Sequence, residues 1–249
     1  MSAALSAVLI TGAGGGIGVA LCSAFHAAGY RVIATDGAWR ECACDGFVAC
    51  DLARLVEDET AREAFHRAVE GRLDGVPLRV IVNNAAVQIL GDVSALSLAD
   101  LSLSINVNVA APFALVAAFL DSLSAQQGVV LNIGSVHAQL TKPGFLAYAV
   151  SKAALAGLTR SLALDLAPRG IRVNEIRPGA TATPMLLAGF ASDPEALAEV
   201  AGMQPLQRLA APTEIAAMAV FLASREAAFV TGAAVQVDGG IAARLHDPL

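Results

Sequence analysis

Tyr148 and Lys152 stand four residues apart in the apolar, alanine-rich stretch AYAVSK, residues 147–152. Residues i and i+4 share a helix face, so a helix here would set a phenol beside an ammonium group. A phenol with a pKa near ~10 is under about 1% ionised at neutral pH. Using it as a base requires lowering that value by ~2–3 units, or about 3–4 kcal/mol of differential stabilisation. A cation one turn away supplies part of that field. The same pair is consistent with a core ring and a lysine that snorkels to water, so it does not decide by itself. Ser135 adds a hydroxyl thirteen residues before Tyr148, closing Asn132-Ile133-Gly134-Ser135 at the end of an apolar run.

A second group of residues could hold an anion. Thr11-Gly12-Ala13-Gly14-Gly15-Gly16-Ile17-Gly18 joins the apolar run Ala7–Thr11 to a helical pattern beginning near Ile17. Glycines allow a tight turn and let backbone amides and a helix N-terminus approach a pyrophosphate. Asp36 ends the second apolar run, eighteen residues after Gly18. An acid there can accept both ribose hydroxyls of a dinucleotide and repels a 2′-phosphate, which favours NAD(H) over NADP(H); a turn residue before Gly37 fits the same position. Asn83-Asn84-Ala85-Ala86 follows Val80-Ile81-Val82, where the amides could also serve only to satisfy turn carbonyls.

The elements that must position these groups follow from periodicity. Ala7–Thr11, Arg31–Thr35, Leu78–Val82, Val129–Ile133, Arg172–Ile176 and Ala234–Val237 read as strands. Ile17–Ala28, Val56–Glu70, Ala110–Leu123 and Tyr148–Leu166 have helical spacing. Alternation of β and α along the whole chain predicts a three-layer α/β domain, a Rossmann-type doubly wound parallel sheet. Ligands then sit outside the carboxyl ends of the strands, where Ser135 and Tyr148 would face the crevice. No linker, charge block or repeat divides residues 1–249. The region 179–212 is the longest irregular stretch and reads as a lid; within it Asp193-Pro194-Glu195 has the form of a helix start.

Composition narrows the partners. Hydrophobic residues make up 56% and charged residues 15% of the 249, and the net charge is −6 without a basic cluster, which argues against nucleic acid. Leu101–Leu120 is twenty residues long without a formal charge, but its asparagines, serines and proline are costly in hydrocarbon, so a buried helix of a soluble protein is expected and no membrane. The N-terminal residues carry no basic leader, and a cytoplasmic protein is expected. Cys22, Cys42, Cys44 and Cys50 fit no zinc spacing; they are expected to be reduced structural thiols, with no metal.

Taken together, TGxxxGxG at 11–18, Asp36, Asn83-Asn84-Ala85, Asn108, Ser135, Tyr148-x-x-x-Lys152, Asn174 with Pro178-Gly179 and Val237-Asp238-Gly239-Gly240 resemble the short-chain dehydrogenase/reductase family in order and spacing. Ala86 departs from the family's usual glycine. The resemblance implies a dehydrogenase that interconverts a secondary alcohol and a ketone with NAD(H). Ser135, Tyr148, Lys152 and Asn108 would be catalytic, with Asn108, preferred to the nearby Asn106, supporting the lysine through water. It also implies cofactor contacts from Gly12, Gly15, Gly16, Ile17, Gly18, Asp36, Asp51, Leu52, Asn84, Ala85, Tyr148, Lys152, Pro178, Gly179, Thr181 and Thr183.

Gln88, His137 and, in the lid, Met185 are the substrate candidates. Gln88 and His137 are similar to polar positions of the 3-hydroxybutyrate dehydrogenase branch, which implies a 3-hydroxy acid, although Phe145 stands where that branch has a carboxylate-binding lysine. The rival functions are an NAD(H)-sensing binding protein without turnover and a structural subunit. The resemblance implies a homotetramer, with Tyr148–Leu166, Leu101–Leu120 and Val235–Leu249 partly buried between subunits; the high apolar content agrees.

Overall fold

Short β-branched runs supply the strands, and in the computed structural model, which describes residues 5–245, they form one parallel sheet. The strands are β1 (Ala7–Thr11), β2 (Arg31–Asp36), β3 (Gly46–Ala49), β4 (Leu78–Asn83), β5 (Val129–Ile133), β6 (Arg172–Pro178) and β7 (Ala234–Val237), in the order β3-β2-β1-β4-β5-β6-β7. Every residue of β1 and β5 is buried, as expected for strands covered on both faces. The strand order reverses between β1 and β4, so the connections leaving their carboxyl ends diverge and open a crevice.

The α-helices among the described residues are α1 (Gly16–Ala27), α2 (Leu52–Glu57), α3 (Glu59–Leu73), α4 (Leu98–Ile105), α5 (Ala111–Ala118), α6 (Leu120–Ala125), α7 (Leu146–Leu166), α8 (Pro184–Gly189), α9 (Pro194–Met203) and α10 (Pro212–Ala223). On one face Leu21 and Phe25 of α1 and Ile215 and Leu222 of α10 pack on Val8, Ile10 and Val32. On the other, Phe65, Leu115, Phe119 and Leu162 pack on Leu9, Ile33 and Val130. This is the doubly wound α/β arrangement that the alternation of elements predicts.

Several boundaries differ from the sequence expectation. Strand β3 is unforeseen: only Gly46 and Val48 are buried, so the run is too short and too mixed to stand out. The expected helix Val56–Glu70 is two, because the Asp58 carboxylate accepts the Thr60 and Ala61 amides and starts α3. The expected helix Ala110–Leu123 begins earlier, at a capping box between Ser97 and Asp100, passes through a π-turn at Asn106–Ala110 and breaks at Phe119. The stretch Leu98–Ala118 is, among the described residues, the one helix long and apolar enough to cross a membrane; 39% of its apolar window is buried, and it packs on α2 and α7. Region 179–212 carries α8 and α9, and Asp193 caps α9 by accepting the Ala196 amide at 2.9 Å. The last four residues of the Val235–Leu249 segment and the first four of the N-terminal stretch lie outside the described residues.

All four cysteines are free thiols. Cys22 is fully buried, with Cys42 and Cys44 packed on the same core, and burial pushes the Cys50 thiol up to about 12.

Candidate active site

A buried polar ladder fixes α7 against the sheet. Asn83 donates to Asn132 at 2.8 Å, Asn132 to the Thr159 hydroxyl at 2.9 Å, and Thr159 to the Leu155 carbonyl at 2.9 Å. Buried amides require partners, so the ladder sets how far α7 slides along β5. Lys152, 2% exposed, thereby lies over the end of β5 and donates from Nζ to the Ile133 carbonyl at 2.7 Å. Its Nζ is 5.6 Å from the centre of the Tyr148 ring. Ser135, two residues beyond Ile133, is buried, its hydroxyl accepts the His137 amide at 3.1 Å, and it lies near enough to Tyr148 to favour the phenolate. The three groups proposed from spacing therefore converge at the carboxyl end of one strand.

Their electrostatics run against free ionisation. Burial disfavours the Tyr148 phenolate and raises its pKa, a shift that the nearby Ser135 hydroxyl opposes. Burial also lowers Lys152 from 10.5 to about 8, with the Glu175 charge acting in the opposite direction. A ligand that excludes water and adds positive charge beside Tyr148 would favour the phenolate.

Asn108 sits in the π-turn, a feature often found at functional sites. Its amide donates to the Val87 carbonyl and the Ser151 hydroxyl, both at 2.9 Å, and its Oδ1 accepts the Val87 amide at 2.8 Å. Ser151 in turn donates to the Tyr148 carbonyl. The Asn108 side chain thus ties α7 to the loop after β4 and makes no direct hydrogen bond to Lys152. Asn106 faces away, toward Glu57 at 3.1 Å.

The crevice between β1 and β4 is lined by the glycine-rich turn. Gly12 has φ +63°, and a Cβ there would lie 2.7 Å from the Ala85 Cα. Asn84 donates to the Thr11 and Gly12 carbonyls at 3.0 Å, and the Asn84 and Ala85 amides donate to the Thr11 hydroxyl at 3.0 Å. The Asn84 amide is thereby spent on holding the turn. A Cβ at Gly18 would collide with the Gly12 carbonyl, and one at Gly16 would lie within 3 Å of Thr183 and Pro184. Helix α1 starts at Gly16-Ile17-Gly18 after Gly15, with no side-chain cap and no acid in its first turn. Those uncapped amides, pressed close to a cleft that admits no side chain, suit a pyrophosphate.

Asp36 borders the same turn, accepting the Gly14 amide at 3.0 Å and the Gly37 amide at 2.7 Å. Asp51 caps α2 through the Ala53 and Arg54 amides, and Leu52 packs on the core, both close to Asp36 through the β2–β3 pairing. Across the crevice Pro178 ends β6, and Gly179 lies so close to Asp238 that a Cβ would be 2.8 Å from its Cα. The Thr181 hydroxyl donates to the Gly179 carbonyl, and Thr183 caps α8 through the Leu186 amide.

At the substrate end, His137 stacks on Phe145 with ring centres 4.4 Å apart and stands edge-on to Tyr148 at 5.7 Å. Its Nδ1 lies 3.1 Å from the Thr141 hydroxyl, and Lys142 caps the other partner, 4.9 Å from the Phe145 ring centre. Burial, and then the Lys142 charge, lowers the His137 pKa, so the ring is neutral at pH 7. Gln88 is exposed on the loop after β4, and Met185 is exposed on α8; neither is hydrogen-bonded to Tyr148. The sequence reading also passed over two features. Arg40 packs across Gly14, and Glu175 and Arg177 form a buried pair on β6. The second had a visible signal, two charges two residues apart inside the apolar run RVNEIRP.

The family described as "Enoyl-(Acyl carrier protein) reductase" matches residues 12–242. A galactitol 2-dehydrogenase (L-tagatose-forming) of Cereibacter sphaeroides is 39% identical over 239 residues, covering 93% of this chain and 92% of that protein. The ligand-free aldohexose dehydrogenase of Thermoplasma acidophilum superposes with a TM-score of 0.89 at 28% identity, covering 100% of this chain and 98% of that one. A 4-hydroxyisoleucine dehydrogenase complexed with NADH superposes with a TM-score of 0.85 at 28% identity, covering 96% and 100%. With the site geometry and these likenesses together, the chain belongs to the short-chain dehydrogenase/reductase family of oxidoreductases.

Proposed function

We propose that the protein interconverts a secondary alcohol and a ketone with NAD(H). The observation that carries this is the convergence of Ser135, Tyr148 and Lys152 at the end of β5, beside the glycine-rich crevice. The glycine-rich turn, Asp36 and Lys152 would hold a nicotinamide cofactor, which would supply the hydride acceptor for the alcohol carbon or the donor for the ketone. The Ser135 hydroxyl hydrogen-bonds the substrate oxygen, and Tyr148 Oη takes the alcohol proton or returns it. Lys152 stabilises the developing phenolate, the role in which a fixed cation is most effective away from water.

Preference for NAD(H) over NADP(H) is supported by Asp36, whose carboxylate stands at the end of β2 beside Gly14 and would repel a 2′-phosphate. The neutral, stacked His137 and the exposed apolar residues Met185 and Leu187 of α8 suit a substrate with one polar and one apolar part. A homotetramer belongs to the same proposal, supported by Phe113 on α5 and Val150 and Leu164 on α7, which are 54%, 47% and 78% exposed and need cover.

The test is a panel of secondary alcohols and polyols assayed by NADH absorbance, with Tyr148→Phe as the control. Tyr148→Phe should abolish turnover while leaving NADH affinity and the thermal midpoint nearly unchanged, because one hydroxyl is removed and the ring still packs. Near-normal kcat in Tyr148→Phe would overturn the assignment. NADH binding with no turnover on any substrate would favour a sensor instead.

A further inference from the structure

Glu175 and Arg177 are two residues apart on β6 and so face the same side of the sheet, the side on which Val173 packs beneath α7. They are 1% and 5% exposed, and Arg177 Nη2 donates to Glu175 Oε2 at 3.0 Å. The pair is incomplete, since Glu175 Oε1 and Arg177 Nε have no hydrogen-bond partner among the described residues. Oε1 lies against Gly134, where any Cβ would collide with it. The residue before Gly134 is Ile133, whose carbonyl holds the Lys152 ammonium at 2.7 Å. A carboxylate oxygen with unused capacity and a buried ammonium group therefore lie against successive residues of one strand end, between Ser135 and the core.

We propose that Glu175 is a positioning residue of the reaction: its free carboxylate oxygen supplies the counter-charge that keeps the buried Lys152 in its ammonium form, and Arg177 fixes the orientation of that carboxylate. The importance of the ammonium for turnover rests on the dehydrogenase function proposed above. The electrostatic link between Glu175 and Lys152 does not.

Burial alone favours neutral lysine, and the Glu175 charge is the influence that opposes it. Among the described residues no other acid acts on the group: α4, which packs on α7, carries Asp100, whose carboxylate is taken by the Ser97 amide and hydroxyl. Tyr148 is the neighbouring titratable group on α7, while Arg160 and Asp165 of that helix are exposed. The residues paired with Glu175 on β5 and β7 are Asn132 and Ala234, and Gln236 pairs with Arg177. The turn after β5 contributes His137, neutral at pH 7. The turn after β7 contributes Asp238, whose carboxylate is taken by the Gly240 and Ala242 amides.

The chain has two lysines, Lys142 and Lys152, so the full-length protein labelled with carbon-13 at lysine Cε gives two resonances, and Lys142→Arg assigns them. In the unaltered protein Lys152 should titrate near pH 8. Glu175→Gln should lower that midpoint by about one unit or more, the scale of losing a close opposite charge. The high-pH limb of kcat should move down with it, and Glu175→Asp should restore most of both. Because Glu175→Gln leaves Arg177 buried without its partner, Glu175→Gln/Arg177→Met serves as the second variant, with a smaller shift in the same direction. A folded variant in which the thermal midpoint falls but the Lys152 titration stays in place would assign the pair a purely structural role and overturn the proposal. If the unaltered protein oxidises no alcohol, the function proposed above fails, yet the resonance still decides whether Glu175 governs Lys152.

Discussion

Lys152 should lower the stability of the cofactor-free protein, and Lys152→Met measures by how much. Burial shifts its pKa from 10.5 to about 8, which corresponds to about 3 kcal/mol of unfavourable charge burial at neutral pH. Methionine fills similar space without the charge. It forfeits the charge-assisted hydrogen bond to the Ile133 carbonyl, about 2 kcal/mol, which leaves a net gain of about 1 kcal/mol. For a chain of this size that is a rise of about 2–4 °C in thermal midpoint. The sign of the pH dependence follows from proton binding. Between about pH 8 and 10.5 the unfolded chain holds a proton on Lys152 that the native state has released, so the native state gains stability as pH rises through that window. The advantage of Lys152→Met is therefore complete below pH 8 and shrinks toward pH 10. Turnover should fall at least about a hundredfold, because Tyr148 loses its cation. Thermal melts of the cofactor-free protein at pH 7 and pH 10 test this. A Lys152→Met protein that melts below the unaltered one at pH 7, or a difference that does not shrink by pH 10, would refute the reasoning.

Asp36→Ala should weaken NAD and relax rejection of NADP by about 2 kcal/mol, with Arg40, already packed across Gly14, left free to meet a 2′-phosphate; fluorescence titration with both reduced cofactors measures it, and tighter binding of NADPH by the unaltered protein would contradict the role given to Asp36. Gly134→Ala should cost about 1–3 kcal/mol, because its methyl meets a Glu175 carboxylate pinned by Arg177. Thermal melting of Gly134→Ala in the unaltered protein and in a Glu175→Ala background checks this: the methyl should cost little once the carboxylate is gone, whatever Glu175→Ala itself costs by leaving Arg177 unpaired, and full stability of Gly134→Ala counts against it.

Much of the candidate site was legible in motifs, and through them in the family resemblance, because its parts are local. The glycine run, the acid ending β2 and the Tyr148–Lys152 pair each lie within a single turn or element, where chain geometry fixes what neighbours what. β1 and β5 were legible for a related reason: covered on both faces, they are almost continuously apolar. β3 escaped because it is four residues long with only two of them buried, and α2 and α3 read as one helix because Asp58 breaks the path with a cap rather than with glycine or proline.

What the sequence by itself determined is which chemical groups stand at the ends of which elements. Only the tertiary structure decided how those ends meet. The Asn83–Asn132–Thr159 ladder sets the slide of α7 along β5, so that Lys152 reaches the Ile133 carbonyl. The fold directs Asn108 to Val87 and Ser151 and Asn106 to Glu57, a difference that two residues in the same run of letters cannot express. It also sets a half-satisfied Glu175 beneath Gly134. These are contacts between segments far apart in the chain, and their energies depend on burial and on distances across the sheet, which exist only once the layers have packed.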